Sequence, residues 1–106
     1  MPFIDYKGTQ IEVGEDGFLV DPSLWDQDLA CFLAEREEGI KDLTPDHWQV
    51  INYLNRYYQE FGVAPMVRLL CKETGFRLKY IYELFPSGPA RGACKIAGLP
   101  KPTGCV

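Results

Sequence analysis

The chain has 106 residues, of which 46% are hydrophobic and 25% charged, and its formal net charge is −4. This length suits a single domain, and no apolar run approaches the roughly 18 residues that a transmembrane helix needs. The first residues lack the basic and apolar regions of a secretory signal, so we expect a cytoplasmic protein without membrane insertion. The acidic total argues against general affinity for nucleic acid.

The first twenty residues predict a small β-structure. Residues 3–6 and 10–13 are short β-prone runs on either side of a turn that contains Gly8. A second turn, which contains Gly17, leads into the apolar run 18–20. A sheet of this size needs helices to cover its apolar face.

Four helical stretches follow, and capping residues, prolines and glycines mark their ends. They cover about residues 21–39, 44–62, 65–75 and 78–86. His47 begins the apolar stripe of the second stretch, where we expect it to pack or to cap the helix. The third and fourth stretches are joined by a tight turn at Gly75 and Phe76, which is the outline of a helix-turn-helix. The sequence therefore predicts a mainly α fold, a small helical domain with an N-terminal β-hairpin.

The sequence changes character after Pro86. The following twenty residues are rich in glycine and proline, and they contain no acidic residue and three basic ones, Arg91, Lys95 and Lys101. Glycine gives the backbone freedom, and proline prevents regular structure. We therefore predict a folded body over residues 1–86 and a mobile C-terminal arm over residues 87–106. Since the apolar helix faces precede Pro86, removal of residues 99–106 is expected to leave the body folded.

The four cysteines lie at positions 31, 71, 94 and 105 and form no CxxC pair, so we do not expect a zinc site. Cys71 borders an apolar helix face and Cys31 has no basic neighbour, which favours a structural or incidental role for both. Cys94 and Cys105 both lie in the basic arm, where positive charges favour the reactive thiolate.

The two arm thiols are able to meet. The step of eleven residues between them spans about 36–40 Å when extended and averages roughly 18 Å as a flexible coil. Closing such a loop costs about 3 kcal/mol of chain entropy, so a direct disulfide is reachable. The alternative is a tail with chance cysteines, although an exposed cysteine without a use is prone to oxidation.

The last residues resemble a known family. The stretch from Cys94 to Val106, CKIAGLPKPTGCV, is similar to the C-terminal arm of the DsrC family. Further similar stretches lie at residues 15–19, 43–48, 57–58 and 83–89, so the resemblance covers nearly the whole chain. The related TusE proteins, which are relays in tRNA thiolation, generally keep only the penultimate cysteine. The presence of both arm cysteines here favours DsrC.

The resemblance implies a protein co-substrate of dissimilatory sulfite reductase rather than an enzyme in its own right. Such a chain binds no cofactor, because sirohaem and iron–sulfur clusters belong to the alpha and beta subunits of the partner reductase. Cys105 would collect partly reduced sulfur, and Cys94 would bridge it as a trisulfide. A membrane-bound thiol-disulfide reductase complex would then release sulfide. In sulfur oxidisers the flow runs in the opposite direction, and the residues leave this direction open.

Two other functions remain as alternatives. A relay in tRNA 2-thiouridine synthesis, of the TusE kind, is distinguished by whether Cys94 is needed. A DNA-binding regulator would use the helix-turn-helix-like pair, which is locally basic through Arg68, Lys72, Arg77 and Lys79. The acidic total, the aromatic-rich second helix of the pair and the lack of an obvious dimerisation segment argue against DNA as a partner.

Overall fold

The computed structural model describes residues 2–100 and begins with the predicted hairpin. Strands β1 (Phe3–Tyr6) and β2 (Thr9–Glu12) pair antiparallel, with the buried Ile4 opposite the buried Ile11. Lys7 and Gly8 form the turn with φ values of 50° and 80°, the positive φ that a tight hairpin requires. The expected apolar run at residues 18–20 forms no regular strand in the described residues and contributes a single antiparallel β-bridge, between Val13 and Leu19.

Four α-helices follow within the described residues, and the mainly helical fold is confirmed. They are α1 (Gln27–Glu38), α2 (Pro45–Phe61), α3 (Val67–Thr74) and α4 (Leu78–Leu84). The first begins later than predicted, because Pro22–Leu24 forms a separate 3-10 turn and Asp26 is the true N-cap. The Asp26 carboxylate accepts a hydrogen bond from the Leu29 amide at 2.7 Å. None of the described helices is long and apolar enough to cross a bilayer.

His47 caps the start of α2, as the sequence indicated. Its Nδ1 accepts a hydrogen bond from the Thr44 amide at 3.1 Å, and its own amide donates to Thr44 Oγ1 at 3.3 Å. Its Nε2 donates to the Leu84 carbonyl at 2.9 Å, and the ring packs edge-on against Phe85. The buried imidazole therefore joins the beginning of α2 to the end of α4 and has a structural role.

The hydrophobic core lies between the helices and the inner face of the hairpin. The largest side chains that are fully buried in it include Leu29, Leu33, Ile51, Leu54, Leu70, Ile81 and Phe85. Helix α2 packs against both α3 and the C-terminal residues 89–94. Helices α3 and α4 are separated by the short turn predicted from Gly75.

The residues after Pro86 do not leave the domain where the sequence suggested. Pro89–Cys94 forms a π-helical segment, which continues through one further helical turn, and Cys94, Ile96 and Leu99 are each 0% exposed. The predicted boundary is therefore corrected. Residues 87–99 belong to the folded domain, because their apolar side chains complete the core, and an arm can begin only after them.

Candidate functional site

The site is built on the π-helical segment that carries Cys94. A carboxylate on α1 fixes its beginning, since Glu38 accepts hydrogen bonds from the Ser87 amide at 2.8 Å and from the Ser87 hydroxyl at 2.7 Å. Gly92 lets the segment lie close to Glu38 of α1 and to Phe85 at the end of α4, because a Cβ there would lie 2.5 Å from Glu38 Oε1 and 3.0 Å from Phe85 Cβ. No larger residue fits between these two side chains and the segment.

Cys94 is enclosed rather than exposed. Its side chain is 0% exposed and lies in the core cluster with Ala93, Ile96 and Ala97. Burial raises the pKa of the Cys94 thiol to about 12. Desolvation disfavours the charged form of a thiol, so Cys94 is protonated at neutral pH. The expectation of a thiolate favoured by the basic arm is therefore wrong for Cys94 in this closed arrangement.

The turn that follows Cys94, residues 95–99, is held by two distant side chains. Trp25 Nε1 donates a hydrogen bond to the Ile96 carbonyl at 2.8 Å. Asn55 Nδ2 donates to the Ala97 carbonyl at 2.9 Å. Gly98 adopts a φ of 81°, and a Cβ at this position would lie 2.3 Å from Trp25 Cδ1. We call residues 95–99 the C-terminal turn.

The two predicted basic residues that the structure describes, Arg91 and Lys95, do not gather around Cys94. Arg91 is exposed, and Lys95 is half-buried with its Nζ 5.2 Å from the centroid of the Phe18 ring. Lys95 also lines a cleft of about 300 Å³ between the hairpin and the end of α1. Lys101 and Cys105 lie outside the described residues. Lys95 therefore makes a cation–π contact with the N-terminal region.

The remaining cysteines lie where the sequence placed them. Cys31 is exposed on α1, and Cys71 is half-buried at the edge of the core. Within residues 2–100, no three His, Cys, Asp or Glu side chains are grouped so that they could hold a metal ion.

Comparison with known proteins adds the family. Residues 5–106 match the family model described as "DsrC like protein". This chain belongs to the DsrC family. It is 56% identical, over the whole of both chains, to the protein of Nitratidesulfovibrio vulgaris named "Sulfite reductase, dissimilatory-type subunit gamma". It is also 41% identical to the Escherichia coli K12 protein named "Sulfurtransferase TusE", over 95% of this chain and 97% of that protein.

Solved structures of the DsrC family share this fold. The chain matches "dissimilatory sulfite reductase I (DsrI)" with a TM-score of 0.89 and 52% identity, over 99% of this chain and 100% of that one. The oxidized gamma-subunit (DsrC) from Archaeoglobus fulgidus matches with a TM-score of 0.87 and 48% identity, over the same shares. The resemblance to DsrC that was drawn from the sequence is therefore confirmed.

Sequence reasoning missed the residues that hold the C-terminal turn in place. Trp25 and Asn55 lie 71 and 42 residues before the carbonyls that they bind, so no local spacing reveals the contacts. Glu38 likewise lies 49 residues before Ser87. One available signal was the apolar spacing of Ala93, Ile96, Ala97 and Leu99, which is that of a packed helical turn.

Proposed function

We propose that this chain carries sulfur for a dissimilatory sulfite reductase, accepting sulfite-derived sulfur on Cys105 and bridging it to Cys94 as a trisulfide. The observation that carries the proposal is the pair of cysteines at positions 94 and 105 in a chain 56% identical throughout to a protein named as a subunit of that reductase. A relative solved in a form described as oxidized supports redox chemistry in the family.

The electron balance assigns a role to both thiols. Conversion of sulfite to the central sulfur of a trisulfide requires four electrons. Two come from the reductase, and two come from the thiols of Cys94 and Cys105, each of which loses its proton as its sulfur–sulfur bond forms. The three sulfite oxygens leave as water. Reduction of the trisulfide by four further electrons, from a membrane-bound thiol-disulfide reductase complex, releases sulfide and restores both thiols.

The burial of Cys94 supports a fixed order of events. A protonated thiol in the core is a poor nucleophile, since the thiolate is the attacking form. Cys105 is therefore the residue that accepts sulfur first, and Cys94 attacks afterwards, once the C-terminal turn has opened. The exposed Arg91 then favours contact with an anionic surface of the reductase, and the positive charges of Lys95 and Lys101 in the sequence add to this attraction.

Mass measurement after a single loading reaction tests this proposal. The reduced protein is incubated with the alpha and beta subunits of the reductase, sulfite and an electron donor, and its cysteine peptides are weighed. We expect one added sulfur with loss of the free thiols of Cys94 and Cys105. Cys94→Ala should still accept sulfur on Cys105 without bridging, Cys105→Ala should accept none, and the control Cys31→Ala should behave as the wild type. Sulfur carried on Cys31 or Cys71 would contradict the assignment.

A relay in tRNA thiolation is the second candidate, because proteins named as TusE sulfurtransferases match nearly the whole chain. Such a relay passes a persulfide from one cysteine to the next protein and has no need of a second thiol in the same chain. Complementation of a strain that lacks its TusE separates the two functions. If Cys94→Ala restores thiolated tRNA as well as the wild type does, and bridging by the reductase fails, the relay is the function.

A further inference from the structure

We propose that Trp25 and Asn55 are positioning residues that hold the C-terminal turn closed over Cys94 and so determine when this thiol is available to attack. The inference rests on the proposed function for its role in sulfur transfer. Its structural part rests only on the described contacts of residues 25, 55 and 94–99, and it is tested without a reductase.

The carbonyls of the C-terminal turn need partners from elsewhere in the fold. The last carbonyls of a helical segment have no donor within the segment itself. The Cys94 carbonyl accepts a hydrogen bond from the Leu99 amide at 3.1 Å, and the Lys95 carbonyl accepts from Gly98 at 3.2 Å. The next two carbonyls, of Ile96 and Ala97, are the ones that Trp25 and Asn55 bind. Each of these four carbonyls therefore has a donor while the turn stays closed.

Trp25 holds the turn from the N-terminal side of the fold. It directly follows the 3-10 turn, and its own amide donates to the Pro22 carbonyl at 3.1 Å, which fixes its backbone. The half-buried indole donates to Ile96 and lies against Gly98, so close that no larger residue fits there. Because the indole nitrogen is only a donor, opening of the turn would leave it with water as its partner.

Asn55 holds the turn from the opposite side. Its Oδ1 accepts a hydrogen bond from Gln59 Nε2 at 2.6 Å, one helical turn further along α2. This bond orients the amide group so that its nitrogen faces the Ala97 carbonyl. The turn is thus attached to two elements, the loop before α1 and the middle of α2, and both contacts are only partly buried.

These two contacts are suited to reversible opening. A neutral hydrogen bond shifts an equilibrium by about two- to twelvefold, and a partly buried one is readily replaced by water. The Glu38–Ser87 bonds at the beginning of the segment do not involve the turn and would keep the segment attached when residues 95–99 move. Local opening would therefore expose Cys94 without unfolding the helices.

Alkylation of the reduced, full-length protein by iodoacetamide, followed by mass analysis of each cysteine peptide, tests the proposal. Trp25→Phe removes the indole donor but keeps an aromatic ring, and Asn55→Ala removes the amide. We expect each variant to raise the labelling rate of Cys94 by about two- to twelvefold, and the double variant to raise it further. The labelling rate of the exposed Cys31 should not change.

Gln49→Ala provides a matched control. Gln49 Nε2 donates to the Thr74 carbonyl at 2.9 Å, which is the same kind of bond, to a carbonyl at the end of a different helix. This variant should leave Cys94 labelling at the wild-type rate. If it raises Cys94 labelling as much as Asn55→Ala does, or if Trp25→Phe and Asn55→Ala leave the rate unchanged, the proposal is overturned.

Labelling of the half-buried Cys71 separates local opening from global unfolding. A parallel rise at Cys71 in the two variants would mean that the whole domain opens, and this too would overturn the proposal. A rise confined to Cys94 supports it even if the protein accepts no sulfur from a reductase. In that case the proposed function fails and the role of Trp25 and Asn55 in covering Cys94 stands.

Discussion

Two C-terminal deletions test whether Leu99 belongs to the folded domain. Deletion of residues 101–106 removes none of the described contacts, whereas deletion of residues 99–106 also removes Leu99. The Leu99 side chain is 0% exposed in the core. Its amide donates to the Cys94 carbonyl at 3.1 Å. We therefore expect the longer deletion to leave the domain less stable than the shorter one, because only the longer one removes Leu99. This prediction reverses the expectation from the sequence.

The magnitude follows from the two contacts that Leu99 makes. Loss of a buried leucine side chain costs about 2–5 kcal/mol, and loss of a backbone hydrogen bond adds about 1 kcal/mol. The free energy of unfolding should fall by their sum, about 3–6 kcal/mol. In a domain of this size 1 kcal/mol corresponds to about 4–8 °C in Tm, so the fall in Tm should be at least about 12 °C.

Thermal and urea unfolding, followed by circular dichroism, measure the difference between the two deletions. The point variant Leu99→Ala in the full-length chain is the control, and it should account for most of the loss. Both deletions remove Cys105, so both should fail to accept sulfur, and the stability difference is separate from function. Equal midpoints for the two deletions would show that Leu99 is not part of the core in solution and would refute the reasoning.

Three further predictions concern single residues. Because burial raises the Cys94 pKa from 9.0 to about 12, the folded state holds this proton more tightly, so the free energy of unfolding should fall as pH rises above 9, by about 1.4 kcal/mol per pH unit. Urea unfolding between pH 8 and 11 should show a flatter dependence in Cys94→Ala, and parallel curves would contradict the burial. His47→Ala leaves the Leu84 carbonyl and the Thr44 amide without partners, and it should cost about 2–3 kcal/mol in thermal unfolding. A cost below about 0.5 kcal/mol, the size of an ordinary surface substitution, would rule out that capping role. Gly98→Ala combines a φ of 81° with a contact at 2.3 Å, and its cost of about 2 kcal/mol should diminish when Trp25→Ala is added.

Local signals predicted most of the fold. Gly8 marks the hairpin turn because the turn needs positive φ, and the structure has it. Thr44 and Pro45 mark the start of α2, and α2 begins there. The Thr44 side chain accepts a hydrogen bond from an amide of the first turn, and the fixed φ of proline suits the first helical position. Gly39 and Gly62 end helices in the left-handed conformation, as predicted. Each of these residues acts within one turn of itself, so sequence alone is sufficient.

The C-terminal segment could not be predicted in this way, because its structure depends on distant partners. Glycine and proline in residues 87–100 indicated a mobile arm. In the structure, however, Gly92 lies too close to Glu38 and Phe85, and Gly98 too close to the Trp25 indole, for either position to hold a side chain. The positive charges around Cys94 indicated a thiolate. Burial decides otherwise, and burial is a property of the tertiary structure that local charge does not reveal.

The competition between burial and charge gives Cys94 two chemical states. The rise in its pKa from 9.0 to about 12 corresponds to about 4 kcal/mol against the thiolate. An exposed cation at the surface contributes only about 1 kcal/mol in its favour. While the C-terminal turn is closed, the thiol therefore stays protonated and unreactive, because nearby charges are too weak to offset its burial. When the thiol is exposed, it no longer bears the desolvation cost, and its thiolate fraction at neutral pH rises about a thousandfold. In the proposed reaction, opening of the C-terminal turn thus activates the second thiol, so that bridging follows loading rather than preceding it.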